Sequence, residues 1–265
     1  MTTFQGQLDS ILPISMVGSI VRTEGLAAAV SGLPAPVGAV VEIERLAAKA
    51  IEAEVIGFRG QQTIVYPLGE MTGVRHGDRV RLRRTRRTLR VGPKLLGRVF
   101  DARGHTIDHH PPPVLSERTT LAGSPPRATD RPRIDASLST GVRAIDGLLT
   151  CGFGQRIGIF SGSGVGKSVT LGMMARYTSA DVSVIALIGE RGREVNDFIE
   201  RDLGAGGLAK SVVVVATSDQ PALVRVQAAM TATAVAEYFR DAGKNVLLIM
   251  DSLTRFALAQ RTARS

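Results

Sequence analysis

The sequence predicts an α/β fold: a parallel sheet with helices on both faces, preceded by a small antiparallel β-barrel. Three observations predict it. From residue 141 onward, apolar runs of strand length alternate with longer amphipathic segments, the rhythm of a covered parallel sheet. Between residues 15 and 92, short Val- and Ile-rich segments are divided by glycine-containing breaks, the pattern of a small barrel. Between these regions, residues 101–134 carry six prolines and little periodicity, which reads as an extended connection. The resulting plan is a tail at 1–14, a barrel at 15–92, a connecting segment at 93–140 and a core at 141–265.

In order along the chain, the barrel strands are expected in "SMVGSIVRTEG", "GAVVEIE", "IEAEVIGFRG", "QTIVYPLG" and "DRVRLRR". "RLAAKAIEAEV" is balanced between strand and helix, because alanine favours helix. In the core, "QRIGIF" (155–160), "DVSVIALIG" (181–189), "KSVVVVATS" (210–218) and "KNVLLIMD" (244–251) are the expected strands. "KSVTLGMMARYT", "REVNDFIERDL", "PALVRVQAAMTATAVAEYFRDAG" and "SLTRFALAQRTA" are the expected helices.

Composition narrows the function. No apolar run reaches the ~18 residues of a membrane helix, and no secretory signal opens the chain. Cys151 is the only cysteine, which excludes an intrachain disulfide and fits a reducing cytoplasm; it reads as a small packing residue. His109 and His110 stand beside three prolines without spaced partners, so they read as a solvated loop rather than metal ligands. The net charge of +9 suits an acidic partner, and six of the arginines fall in "RLRRTRRTLR" at 81–90.

The chemistry is announced by "SGSGVGKS". A strand ending in a glycine-rich turn that opens into a helix aims backbone N–H groups at an anion. The pattern is the phosphate loop G-x-x-x-x-G-K-[ST], with Ser161 in place of the first glycine. Gly162, Ser163, Gly164, Val165, Gly166, Lys167, Ser168 and Val169 are the nucleotide-binding candidates. Lys167 would neutralise phosphate charge, and the Ser168 hydroxyl would ligate Mg²⁺. Hydrolysis also needs carboxylates. Asp251 ends an apolar strand, where it can act on the Mg²⁺ shell, and Glu190 ends another, where it can polarise water. Arg191 and Arg193 follow Glu190 and could meet phosphate, a neighbouring subunit or solvent.

On "SLSTGVRAIDGLLTCGFGQRIGIFSGSGVGKS", "ADVSVIALIGERGREVNDFIERDLG" and "LLIMDSLTRFALAQR", the chain resembles the export ATPases of bacterial flagellar and type III secretion systems. These are relatives of the catalytic subunit of rotary ATP synthases. The resemblance is dense from about residue 135 to Arg261 and looser over the barrel. It implies a RecA-like P-loop NTPase core that uses ATP and Mg²⁺, with Glu190 as the water-activating glutamate, Asp251 as the magnesium-associated aspartate, and Arg191 as the arginine that follows the glutamate. It implies a homohexamer, a coiled-coil stalk protein, and a negative regulator at the N-terminal region. It also implies chaperone–substrate complexes as clients, a membrane export gate, and peripheral contact with acidic membrane from the cytoplasm. "GMMARYTSADV" inclines the reading to the flagellar branch rather than the injectisome. In that family the chain runs on past "AQR", so the last core strands, the arginine finger, the adenine pocket and a C-terminal helical domain are expected beyond Ser265. Two other classes stay open. One is a Rho-like ring that moves along nucleic acid, which the arginine cluster favours; Tyr66 and Phe58 are its only stacking candidates in the barrel, and nucleic acid is not the expected partner. The other is an inactive truncated protomer.

Overall fold

The computed structural model describes residues 16–46, 48–123, 125–162 and 164–264. The expected tail at 1–14 and the loop residue Ser163 lie outside the described residues. The chain forms two compact units, dividing between Thr88 and Leu89.

In the first unit, β1 (Val17–Glu24), β2 (Ala27–Ser31), β3 (Val40–Arg45), β4 (Ala48–Arg59), β5 (Gln62–Pro67) and β6 (Arg79–Arg84) close a barrel in the order β1-β2-β5-β4-β3-β6. The ambiguous "RLAAKAIEAEV" segment is thus strand. Burial decides it: Ile51, Ala53 and Val55 point into the core at period two, while Glu52 and Glu54 point out. A helix would scatter those apolar positions. On β6, Val80 and Leu82 join the same core. Arg81 and Arg83 take the outer face, where Arg81 pairs with Glu44 at 2.8 Å and Arg83 pairs with Glu42. Arg87 reaches Glu52 at 2.9 Å and Glu54 at 3.4 Å. Half of the arginine cluster is therefore spent on the barrel's own glutamates. Of the two stacking candidates, Tyr66 is buried and Phe58 is exposed.

In the second unit, β7 (Thr88–Val91) pairs with β9 (Glu117–Thr120). The parallel sheet has the order β14-β12-β13-β8, with β8 (Arg98–Asp101), β12 (Val182–Ile188), β13 (Ser211–Ala216) and β14 (Val246–Asp251). The segment 93–140 thus supplies more than a connection, since β8 forms one edge of the sheet. The short strands β10 (Ser137–Leu138) and β11 (Cys151–Gly152) pair with each other. β12 is buried at every position, as expected for a strand covered on both faces.

The first helix, α1 (Arg143–Leu148), is held by Asp146, whose carboxylate accepts from the Thr140 N–H and hydroxyl, both at 2.7 Å, and from the Ser139 hydroxyl at 2.8 Å. On one face of the sheet, Ile185, Leu187, Val213 and Ile249 pack with residues of three following segments. These are α2 (Lys167–Tyr177), α3 (Gly192–Asp197) and a π-helical turn, Phe198–Leu203, which leads into α4 (Gly204–Ala209). The long helix α5 (Ala222–Asp241) covers β12, β13 and β14 from the other side, and α6 (Leu253–Arg264) packs on α5.

One expected strand is absent. Residues 155–160 form no regular secondary structure and join no sheet. They run beside β14 across a cavity of about 330 Å³ that Ile157, Ile159, Phe160, Leu171, Leu247 and Ile249 help to line. A strand exists only when neighbouring backbone satisfies its N–H and C=O groups. Here the apolar pattern is right, but no ladder partner lies within hydrogen-bonding reach among the described residues.

Candidate active site

Parallel strands deliver their C-terminal ends to one edge of a sheet, and the candidate residues gather there. β12 and β14 are direct neighbours, with Leu187 in register with Asp251. Asp251 therefore ends one strand beside the turn that carries Glu190 off the other. That turn needs Gly189, whose φ of 72° lies in the left-handed region. The Gly189 N–H donates to the Ala216 carbonyl at 2.6 Å, and the Ser218 N–H donates to the Glu190 carbonyl at 3.0 Å, so β13 pins the turn.

The phosphate loop enters from the other side. Gly164 (φ 77°) and Gly166 (φ 91°) both use the left-handed region, and Gly166 caps α2. The loop faces open space: no atom lies within 4 Å of where a Cβ would sit on Gly162, Gly164 or Gly166. Val165, Ser168 and Val169 are exposed along it. Lys167, the first residue of α2, donates from Nζ to Asp251 Oδ1. The loop lysine and the strand-end aspartate are thus in contact although 84 residues apart.

Glu190 is largely buried and forms an ion pair with Arg255 of α6. Burial raises its pKa above the ordinary carboxylate value, against the Arg255 guanidinium; a hydrogen bond with the Glu194 carboxyl and the charge of Asp251 add to the rise. Glu194 is shifted down, chiefly by that same hydrogen bond from Glu190, and its other partner is Arg191 at 3.0 Å. The Arg191 side chain is 78% exposed and directed at Glu194.

The group as a whole is two carboxylates at strand tips, each held by a cation, beside an open glycine loop at a helix N-terminus. Such an arrangement suits the phosphates of a nucleotide, which would draw Lys167 and the loop N–H groups. It also offers oxygen donors alone, the Ser168 hydroxyl and the Asp251 carboxylate. A single carboxylate and a hydroxyl fit Mg²⁺, which keeps several of its waters and binds phosphate.

Residues 141–264 match the family described as ATP synthase alpha/beta family, nucleotide-binding domain. The flagellum-specific ATP synthase of Salmonella typhimurium (strain LT2) is 49% identical over 97% of this chain and 59% of its own length. The type 3 secretion system ATPase of Xanthomonas euvesicatoria is 45% identical over 98% of this chain and 59% of its own. The assembled ATPase EscN, solved with its central stalk EscO from the type III secretion system of enteropathogenic E. coli, superimposes with a TM-score of 0.88. It is 46% identical to this chain, over 93% of this chain and 60% of its own.

Over nearly its whole length the chain is similar to flagellar and type III secretion ATPases. It spans about three fifths of the length of the curated relatives it matches. The likeness extends through the barrel as well as the nucleotide-binding domain, since the aligned region covers nearly the whole chain. Relative to these ATPases, the sequence reading gave no role to Arg255 or Glu194. Glu194 lies in the first turn of the helix that follows Glu190, a local signal; Arg255 pairs with Glu190, 65 residues earlier, and carries none. Which carboxylate each would meet depends on how the strand ends are arranged in space.

Proposed function

We propose that this chain carries the ATP-hydrolysing site of a flagellar protein-export ATPase. The observation that carries the reading is the Lys167–Asp251 contact, set beside Glu190 on the adjacent strand tip. In this reading, residues 162–169, Ser163 included, hold the triphosphate through backbone N–H groups, and Lys167 moves from Asp251 onto the β- and γ-phosphates. Ser168 and Asp251 hold Mg²⁺, which neutralises phosphate charge when bound. Glu190 takes the proton of the attacking water. Arg191, turned toward Glu194 and solvent here, serves the terminal phosphate only after leaving that partner.

The similarity to these relatives supports a wider plan. The barrel and the nucleotide-binding unit, β8 included, form one protomer of a hexameric ring on the cytoplasmic face of the membrane. A coiled-coil stalk sits in the ring, a reading supported by the assembled EscN having been solved in complex with its central stalk EscO. A negative regulator binds the N-terminal region, and the ring delivers chaperone-bound substrates to the export gate. The pairing of Arg81, Arg83 and Arg87 with barrel glutamates supports this reading over a nucleic-acid motor.

The test uses the full-length protein. Lys167→Ala and Glu190→Gln should each abolish phosphate release, with Glu190→Gln still binding ATP. Expression in a strain lacking its flagellar ATPase should restore motility. Phosphate release that survives Lys167→Ala would refute the site. The type III secretion relatives motivate a second reading, in which the protein restores secretion to an injectisome mutant and leaves motility unrestored.

A further inference from the structure

Arg255 stands inside the site, yet the proposed hydrolysis gives it no role. Its guanidinium forms an ion pair with Glu190, whose side chain is only 14% exposed against 39% for the arginine. Two contacts fix the arm that carries this guanidinium. At its root, the Arg255 N–H donates to the Ser252 hydroxyl at 3.3 Å, which ties the first turn of α6 to the residue that follows β14. Along its length, the stem lies across Gly189: a Cβ on that glycine would meet Arg255 Cδ at 3.0 Å and Cβ at 3.1 Å. The arm therefore crosses the backbone of the turn that carries Glu190 and ends on its carboxylate. The other charges around the pair are Asp251 of β14, itself held by Lys167 of α2, and Glu194 of α3, which holds Arg191. A carboxylate at this depth has little water to orient it or keep it charged, so an adjacent cation does both.

We infer that Arg255 is the positioning residue for Glu190: its planar guanidinium, on an arm seated across Gly189, holds the carboxylate in place at the strand tip. The inference rests on Glu190 being the general base. Arg255 takes no proton and touches no reacting atom; it sets the place from which Glu190 takes the proton. A base displaced by about 1 Å from its water loses about a hundredfold in rate, so a fixed carboxylate matters as much as a basic one. An ion pair makes a carboxylate a weaker base, but a buried carboxylate without its cation takes up a proton and is no base at all. The arm also gives Gly189 a second duty beside its φ of 72°, because any side chain there would lift Arg255 off the turn.

In the full-length protein, Arg255→Ala should lower kcat for phosphate release about a hundredfold, the loss expected of a misplaced base, and leave the affinity for the fluorescent analogue mant-ATP unchanged. With the guanidinium gone, burial acts on Glu190 unopposed, so the acidic limb of the kcat/KM profile should move to higher pH. Guanidinium chloride, far below denaturing concentrations, should restore part of the rate and return the limb; sodium chloride at equal ionic strength should do neither. Arg255→Lys keeps the charge without the planar fork, so it should hold the limb near its wild-type position and recover only part of the rate. A wild-type kcat in Arg255→Ala overturns the inference. So does a lowered rate with the limb unmoved, the mark of a structural role, or weakened mant-ATP binding, the mark of a phosphate ligand. If Arg255→Ala does not fold, Arg255→Lys decides: a lowered kcat with limb and affinity kept supports positioning by the fork, and full activity or weakened mant-ATP binding refutes it. Turnover that survives Glu190→Gln would instead bring down the assignment of the base itself.

Discussion

The ion pair between Lys167 and Asp251 makes an asymmetric demand on stability in the absence of nucleotide. Asp251 has 6% of its side chain exposed and Lys167 has 30%. Removing the lysine strands a carboxylate that cannot reach water; removing the aspartate leaves an ammonium that can swing out on its flexible stem. Lys167→Met should therefore cost about 3 kcal/mol, the lower end for breaking a buried pair, because Arg255 still acts on Asp251. Asp251→Asn should cost about 1 kcal/mol, near the value for an accessible pair. The double variant should resemble Asp251→Asn alone, about 2–3 kcal/mol better than the sum of the two losses. Urea unfolding followed by far-UV circular dichroism reads this directly. With a slope near 3 kcal/mol/M, Lys167→Met moves the midpoint by about 1 M. Equal losses in the two single variants, or simple additivity in the double, would refute the reasoning.

Three further outcomes follow from other parts of the second unit. Gly189→Ala should destabilise by about 1–2 kcal/mol, the cost of a left-handed conformation with a Cβ. That Cβ would also lie 3.0 Å from the Arg255 side chain, so phosphate release by the full-length variant should fall even where urea titration shows it folded. Thr231→Val removes a buried hydroxyl that donates to the Ala102 carbonyl at 2.6 Å and should lower stability by about 1–2 kcal/mol in the same titration. Asp108 tests the pH dependence. Burial works against its ionisation, but the Arg98 side chain and the Val99 and His110 N–H groups outweigh that and hold its pKa at about 2. A depressed carboxylate stabilises the fold above the ordinary value near 3.8 and loses that contribution as pH falls through about 2. Asp108→Asn should thus be destabilised at neutral pH and converge on the wild type near pH 2, measured by thermal unfolding.

The Glu190 environment also shows why a site can be partly visible in a sequence. A strand that ends in a carboxylate beside a phosphate loop is a local pattern, and Asp251 and Glu190 are both of that kind. Arg255 is different. Its partner lies 65 positions earlier in the chain, and nothing near it in sequence says whether its charge meets phosphate, solvent or a carboxylate. The same holds for Arg87, which bridges Glu52 and Glu54 from more than thirty residues away.

What local chemistry dictated was the kind of each element and the residues that end it. Period-two burial in β4, continuous apolar runs in β12 and β13, and a glycine loop opening a helix each express the backbone geometry of a few neighbouring residues. What depended on the folded chain was pairing. The closure of β6 onto β1, the recruitment of β8 beside β13, and the failure of residues 155–160 to enter the sheet all turn on whether a distant backbone offers hydrogen bonds. A strand's composition states that it can be buried; its neighbours, reached only through the whole chain, settle where.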